Sequence, residues 1–146
     1  FNIYADPEAA DMVLTCGAPV TLCGLDVTMR AYFTGEELDE LAALGSKQAV
    51  FARDVSQGIL NYYRGFDLPG VCMHDPLTVL YADDDSYFET EHVGIRVETK
   101  GKLTRGKTVT DLYSDKQMEH NAYFVTKVDR EEFKRRVFEN MAKYGV

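Results

Sequence analysis

The chain has 146 residues, 45% of them hydrophobic and 27% charged, and carries a net charge of −8. That is enough chain for one domain with a real core. The negative charge argues against nucleic acid as a partner, because nothing offsets phosphate repulsion. No apolar run approaches the roughly 20 residues of a membrane span. Phe1 to Gly17 lacks the basic stretch of a signal peptide, so the expected compartment is the cytoplasm. Cys16, Cys23 and Cys72 form an odd set without C-x-x-C spacing, read here as reduced and half-buried rather than catalytic.

The first residues, Phe1-Asn2-Ile3-Tyr4, already look like the inside of a structured region. Asp6-Pro7-Glu8 then reads as a helix start, with Asp6 as N-cap, Pro7 first and an acid in the first turn. Ala9, Ala10, Val13 and Leu14 give that helix one apolar face, and Gly17 closes it. Pro19 to Cys23 is short, β-rich and bounded by Gly24, so a buried strand is expected. Helix followed by strand is half of a βαβ unit, which places the chain in the α/β class. Leu25 to Arg30 follows where such a sheet carries its functional loops.

Thr34-Gly35-Glu36-Glu37 is a capping box, and Leu38, Leu41, Ala42 and Leu44 continue its helix to Gly45. Ser46 caps the next helix, from Lys47 to about Gly65, with Val50, Phe51, Val55, Ile59, Leu60 and Tyr63 expected on its inner side. Gly58 in its interior suggests close packing. Asp83, Asp84 and Asp85 read as a solvated turn rather than a metal site. Val93, Ile95 and Val97 alternate with Gly94, Arg96 and Glu98, a half-buried strand. Gly101 to Gly106 turns the chain, and Thr108 to Tyr113 pairs back as a hairpin. Asn121 to Val128 is another strand. Asp129 caps a last helix, Arg130 to Lys143, with Phe133, Val137, Phe138 and Met141 inward. His92 and His120 have no acidic company and read as structural.

One stretch carries most of the chemistry: Val71-Cys72-Met73-His74-Asp75-Pro76-Leu77. It reads as a loop ending at Asp75, with Asp75 as N-cap and Pro76 as the first helical residue. A carboxylate there can cap the helix, bind a hard cation or accept hydrogen bonds from sugar hydroxyls. The adjacent imidazole can exchange a proton near neutral pH. A capped helix beside a satisfied histidine is the plainer reading of these two residues alone.

A wider pattern favours the chemical reading. Phe1-Asn2-Ile3 with Asp6-Pro7-Glu8-Ala9-Ala10, then Gly24-Leu25-Asp26-Val27-Thr28, then His74-Asp75-Pro76 form an ordered series. Val97-Glu98-Thr99, Gly101, Leu103-Thr104-Arg105-Gly106 and Thr108-Val109 complete it. In order and spacing these resemble the inosine-uridine-type nucleoside hydrolases, calcium-dependent enzymes that cleave ribonucleosides to base and ribose. The resemblance implies a three-layer α/β/α fold with a mainly parallel central sheet and an antiparallel β-hairpin. It covers only the C-terminal part of the family, so residues 1–146 are expected to be the C-terminal portion of a single hydrolase domain. The family's aspartate-rich loop, which supplies most calcium ligands and the water-activating carboxylate, has no match here. Phe1 aligns with the Phe of a Glu-Phe-Asn motif, so a substrate-binding Glu would be just missing.

By the same resemblance, Asp75 is a calcium ligand and also holds a ribose hydroxyl. Asn2 hydrogen-bonds the 5′ end of the ribose. His74 sits on the base side, as proton donor to the leaving group or as a hydrogen-bonding partner. Tyr62 and Phe66, with Tyr63, fall in the region that lines the base pocket. Tyr63 as core and Tyr62 as a surface aromatic is the equal alternative. The implied cofactor is Ca2+, the implied partner a ribonucleoside, the implied role purine or pyrimidine salvage, and the implied assembly a homodimer or homotetramer. Two rival readings remain: a non-catalytic riboside-binding relative, and a small autonomous α/β interaction domain.

Overall fold

The computed structural model describes residues 1–63, 65, 66, 68–112 and 118–143. In chain order it forms α1 (Asn2–Ala5), α2 (Pro7–Thr15), β1 (Thr21–Leu22), α3 (Leu25–Thr28), β2 (Tyr32–Phe33), α4 (Gly35–Ala42) and α5 (Lys47–Tyr63). Then follow β3 (Val71–Cys72), α6 (His74–Asp83), β4 (Phe88–Val97), β5 (Thr108–Asp111), β6 (Ala122–Val128) and α7 (Arg130–Lys143). The α/β class holds. The chain divides into two compact units: Phe1–Leu22 with Thr90–Val125, and Cys23–Glu89 with Thr126–Val146.

In the first unit, α2 is set by its ends. Asp6 Oδ1 accepts from the Ala9 amide at 3.0 Å, Pro7 opens the helix, and Gly17 at φ +80° turns the chain out. The chain enters β1, which is shorter than the expected Pro19–Cys23, because Pro19 brings no N–H to a ladder. Thr21 and Leu22 pair in parallel with Tyr123 and Phe124 of β6. The sheet runs β1-β6-β4-β5, with β4 and β5 antiparallel from Gly94↔Asp111 to Val97↔Thr108. It is therefore a mixed sheet, whose parallel part in this chain is β1 on β6. The hairpin closes as expected, though β5 stops at Asp111 and Tyr113 lies outside the described residues.

The core of this unit is Leu14, Val93, Ile95, Val97 and Ala122, joined by Ile3, Ala10, Val20, Leu22 and Phe124. Two polar side chains clamp it. Asn121 Oδ1 accepts from the Ile95 amide at 2.7 Å, and its Nδ2 donates to the carbonyls of Leu14 and Ile95. Asp11 accepts both Nε and Nη2 of Arg96, at 2.9 and 2.8 Å, and the Val97 amide at 3.1 Å.

In the second unit the helix starts are also local. Thr34 and Glu37 form the expected capping box, with Oγ1 accepting from the Glu37 amide and Oε2 from the Thr34 amide. Ser46 Oγ accepts from the Ala49 amide at 3.1 Å, and Asp129 Oδ1 from the amides of Glu131 and Glu132. Phe133 is fully buried, stacked on Phe33 at 6.1 Å, with Phe138 edge-on to the same ring. β2 and β3 pair antiparallel, Tyr32↔Cys72 and Phe33↔Val71. Asp84 is not simply solvated: it pairs with Arg136 and accepts from the Ser86 amide.

The inner face of α5 is a correction. Val50, Phe51, Val55 and Ile59 are 38%, 69%, 53% and 41% exposed. Ala49 is fully buried, and Ala52, Ser56, Leu60 and Tyr63 are half-buried. The helix thus turns a face rich in small residues toward α4 and β3, because small side chains let helices approach closely. Leu60 shows this: its Cδ2 lies 3.2 Å from where a Cβ on Gly35 would stand. Gly58 faces open space, not the close packing expected of it.

Candidate functional site

The sequence segments singled out above meet in pairs. In the first unit, the segment holding Asn2 packs on the hairpin turn. Gly106, at φ +81°, lies so close to Tyr4 that a Cβ there would stand 2.7 Å from the Tyr4 Cα. Arg105 fixes the same arrangement, with Nη1 and Nη2 donating to Glu8 at 2.5 and 2.8 Å. Asn2 itself is exposed in the short helix α1.

In the second unit, the Gly24–Thr28 and His74–Pro76 segments come together. Gly24 is extended, and α3 starts behind it, with the Thr28 amide donating to the Gly24 carbonyl at 3.0 Å. Val27 is fully buried and Thr28 is 3% exposed, so the segment presents a fixed inner face. The Thr28 hydroxyl lies 2.8 Å from His74 Nδ1. A second latch sits beside it: the Met73 amide donates to the Ala31 carbonyl at 2.7 Å, and Cys72 Sγ touches the Met29 carbonyl and Sδ. Thr28 was not legible as a site residue; its only signal was its place in the Gly24–Thr28 segment.

The helix start differs from expectation. Met73 is the cap and α6 begins at His74, so Asp75 is the second helical residue and Pro76 the third. Pro76 is tolerated there because the first amides of a helix have no partner within it. The shift frees the carboxylate. Asp75 is exposed in the first turn and has no hydrogen-bond or ion-pair partner among the described residues. Leu77, wholly buried, holds the turn from beneath. Asp26 is exposed in the first turn of α3.

Tyr62, Tyr63 and Phe66 form one ring cluster, with centroids 5.4 to 6.3 Å apart. Tyr62 is 68% and Phe66 54% exposed, so both rings reach solvent while packing on each other. Burial pushes the thiols of Cys23 and Cys72 up, away from thiolate formation, and Cys16 is an exposed free thiol. A separate concavity of about 710 Å³ lies in the first unit, lined among others by Pro19, Val20, His92, His120 and Tyr123. There His92 stacks on Tyr123 at 4.7 Å and His120 stands edge-on to His92. None of the predicted site residues lines it.

For calcium, the donor set is insufficient. The ion takes 6–8 oxygens, and among the described residues no three His, Cys, Asp or Glu side chains cluster to hold a metal. Asp75 is one free carboxylate, not a site.

An α/β chain with these paired segments has the architecture of the nucleoside hydrolases. It superposes on the purine-preferring ribonucleoside hydrolase from Gardnerella vaginalis with a TM-score of 0.85 and 30% identity, over 98% of this chain and 46% of that one. A plant nucleoside hydrolase, PpNRh1, matches equally, with a TM-score of 0.85 and 30% identity over 97% of this chain and 46% of that one. The chain belongs to the inosine-uridine preferring nucleoside hydrolase family, whose sequence model matches residues 1–135. It is 36% identical to the pyrimidine-specific ribonucleoside hydrolase RihA of Shewanella woodyi, over 91% of this chain and 43% of that protein. The chain spans about half the length of the curated relatives it matches.

Proposed function

We propose that the protein carrying this chain hydrolyses the N-glycosidic bond of ribonucleosides, giving free base and ribose. The observation that carries the reading is the start of α6. There, in a chain of this family, an anchored imidazole stands next to an exposed carboxylate that has no partner among the described residues. Cleavage builds positive charge on the ribose ring and leaves electrons on the departing base. His74 supplies a proton to that base, and Asp75 grips a ribose hydroxyl. Asn2 holds the 5′ end of the ribose. Tyr62 and Phe66 stack on the base, a contact every nucleobase can make. Relatives include both a pyrimidine-specific and a purine-preferring enzyme, so the proposal extends to both substrate classes.

Calcium dependence is part of the proposal, with Asp75 as this chain's one contribution to the ion. The other oxygens have to come from outside the described residues, and these 146 residues by themselves are then inactive. A homo-oligomer in the cytoplasm is the expected setting. Among the described residues, no helix is long and apolar enough to cross a membrane.

The test uses the longest native polypeptide carrying the sequence. Release of base is followed from inosine, uridine and an activated nitrophenyl riboside. His74→Ala is expected to slow the natural nucleosides about 10²–10⁴-fold and to spare the activated substrate, whose leaving group needs no proton. Asp75→Ala is expected to abolish turnover of all three. Equal slowing of all three substrates by His74→Ala would remove His74 as the acid.

A further inference from the structure

We propose that Thr28 is a positioning residue for His74: its hydroxyl donates to Nδ1 and leaves the proton of the neutral ring on Nε2. The inference rests on the nucleoside-hydrolysis reading above and says how the histidine of that reading is oriented.

The contact at 2.8 Å permits two arrangements. Either the hydroxyl donates to a bare Nδ1, or a protonated Nδ1 donates to the hydroxyl oxygen. The surroundings of Thr28 choose between them. Its side chain is almost wholly buried, and His74 Nδ1 is its hydrogen-bond partner among the described residues. Thr15, near the end of α2, turns its hydroxyl back onto the Asp11 carbonyl at 2.7 Å. Thr28, also at a helix end, makes no such bond to a preceding carbonyl. If Nδ1 carried the proton, the Thr28 hydroxyl hydrogen would be left buried with no acceptor, which is the costly state for a donor. The hydroxyl therefore donates, and the neutral imidazole holds its proton at Nε2. That leaves the Nε2–H edge, which Thr28 does not occupy, as the one that can hydrogen-bond the departing base.

The pair is also held in place from both sides. Thr28 is anchored through its amide to Gly24 and by the fully buried Val27. The residue before His74 is tied to Ala31, three residues after Thr28, at 2.7 Å. These backbone hydrogen bonds fix the positions from which ring and hydroxyl reach each other, the kind of support that keeps a functional group in register.

The experiment compares wild type, Thr28→Val, Thr28→Ser, His74→Ala and the Thr28→Val/His74→Ala double variant in the longest native polypeptide carrying the sequence. Thr28→Val is expected to lower kcat on inosine and uridine about 10–100-fold, in the range seen when a ligand's supporting hydrogen bond is removed, with KM little changed. Thr28→Ser is expected to restore most of it. The double variant is expected to be no slower than His74→Ala, since Thr28 acts only through that ring. ¹⁵N spectra of the His74 imidazole should show the Nε2–H tautomer in wild type and Thr28→Ser, and a mixture in Thr28→Val. Additive losses in the double variant beside a slow His74→Ala would overturn the proposal alone. A fast His74→Ala would overturn the role given to His74, and the proposal with it. If Thr28→Val does not fold, the wild-type spectrum decides: an Nδ1–H signature overturns the assignment.

Discussion

At the scale of single residues, Asp11 shows how one side chain joins two elements. Its carboxylate accepts from Arg96 and from the Val97 amide, and these bonds lower its pKa from the usual 3.8 to about 2. A carboxylate with a depressed folded pKa stabilises the fold above its unfolded value and loses that contribution as pH falls through the folded one. Asp11→Asn is therefore expected to cost about 1–2 kcal/mol near neutral pH, toward the low end for charged hydrogen bonds because Arg96 is 57% exposed. The difference from wild type should shrink between pH 3.8 and about 2 in thermal unfolding. A gap that stays constant through that window would mean the Arg96 pair contributes nothing.

Gly70 is the other position where one atom decides. A Cβ there would meet the Phe33 carbonyl oxygen at 2.2 Å and its carbon at 2.7 Å, both backbone. Neither can move without opening β2 from β3, and Gly70 immediately precedes the strand that delivers His74. Gly70→Ala is expected to destabilise by roughly 3 kcal/mol, measured by denaturant unfolding. A neutral result would show that this backbone contact is not tight.

At the scale of elements, α5 and α6 are opposites. In α5 Val50, Phe51, Val55 and Ile59 are outside while Ala49, Ala52, Ser56, Leu60 and Tyr63 face inward, whereas in α6 Leu77 and Leu80 are buried. The contrast is testable in one comparison. Phe51→Ser removes an aromatic that is 69% exposed and should change stability by about 0.5 kcal/mol or less. Leu77→Ala empties a fully buried position and should cost about 2–5 kcal/mol. It should also loosen the turn that carries His74 and Asp75. Similar costs for the two substitutions would mean that the Phe51 face is covered in solution.

At the scale of the whole molecule, the decisive quantity is the number of oxygen ligands. With one free carboxylate at the candidate site, the 146-residue chain is expected to show no tight calcium binding in calorimetric titration. It should also show no release of base from inosine or uridine. Holding part of a ribose without a nucleophile does not lower the barrier to cleavage. Micromolar calcium affinity with turnover from these residues alone would overturn both the ligand count and the division of labour proposed for the site.

The local signals were legible because they are local. Asp6 with Pro7, Thr34 with Glu37, Ser46 and Asp129 each cap a helix within three residues, and all do so in the structure. The alternation at Val93, Ile95 and Val97 likewise reports one buried face. Family membership was legible too, because ordered motifs survive where single residues say little. Tertiary structure alone decided the rest. Periodicity could not say which stripe of α5 faces inward, since two faces of that helix compete and close approach to α4 and β3 selects the smaller residues. The His74–Asp75–Pro76 triplet could not say where its helix starts: Asp-Pro is a common opening, but Met73 is tied to Ala31 and takes the cap. Nor could any local pattern pair Thr28 with His74, because 46 residues separate them and only packing around Val27 and Leu77 brings the hydroxyl to the ring.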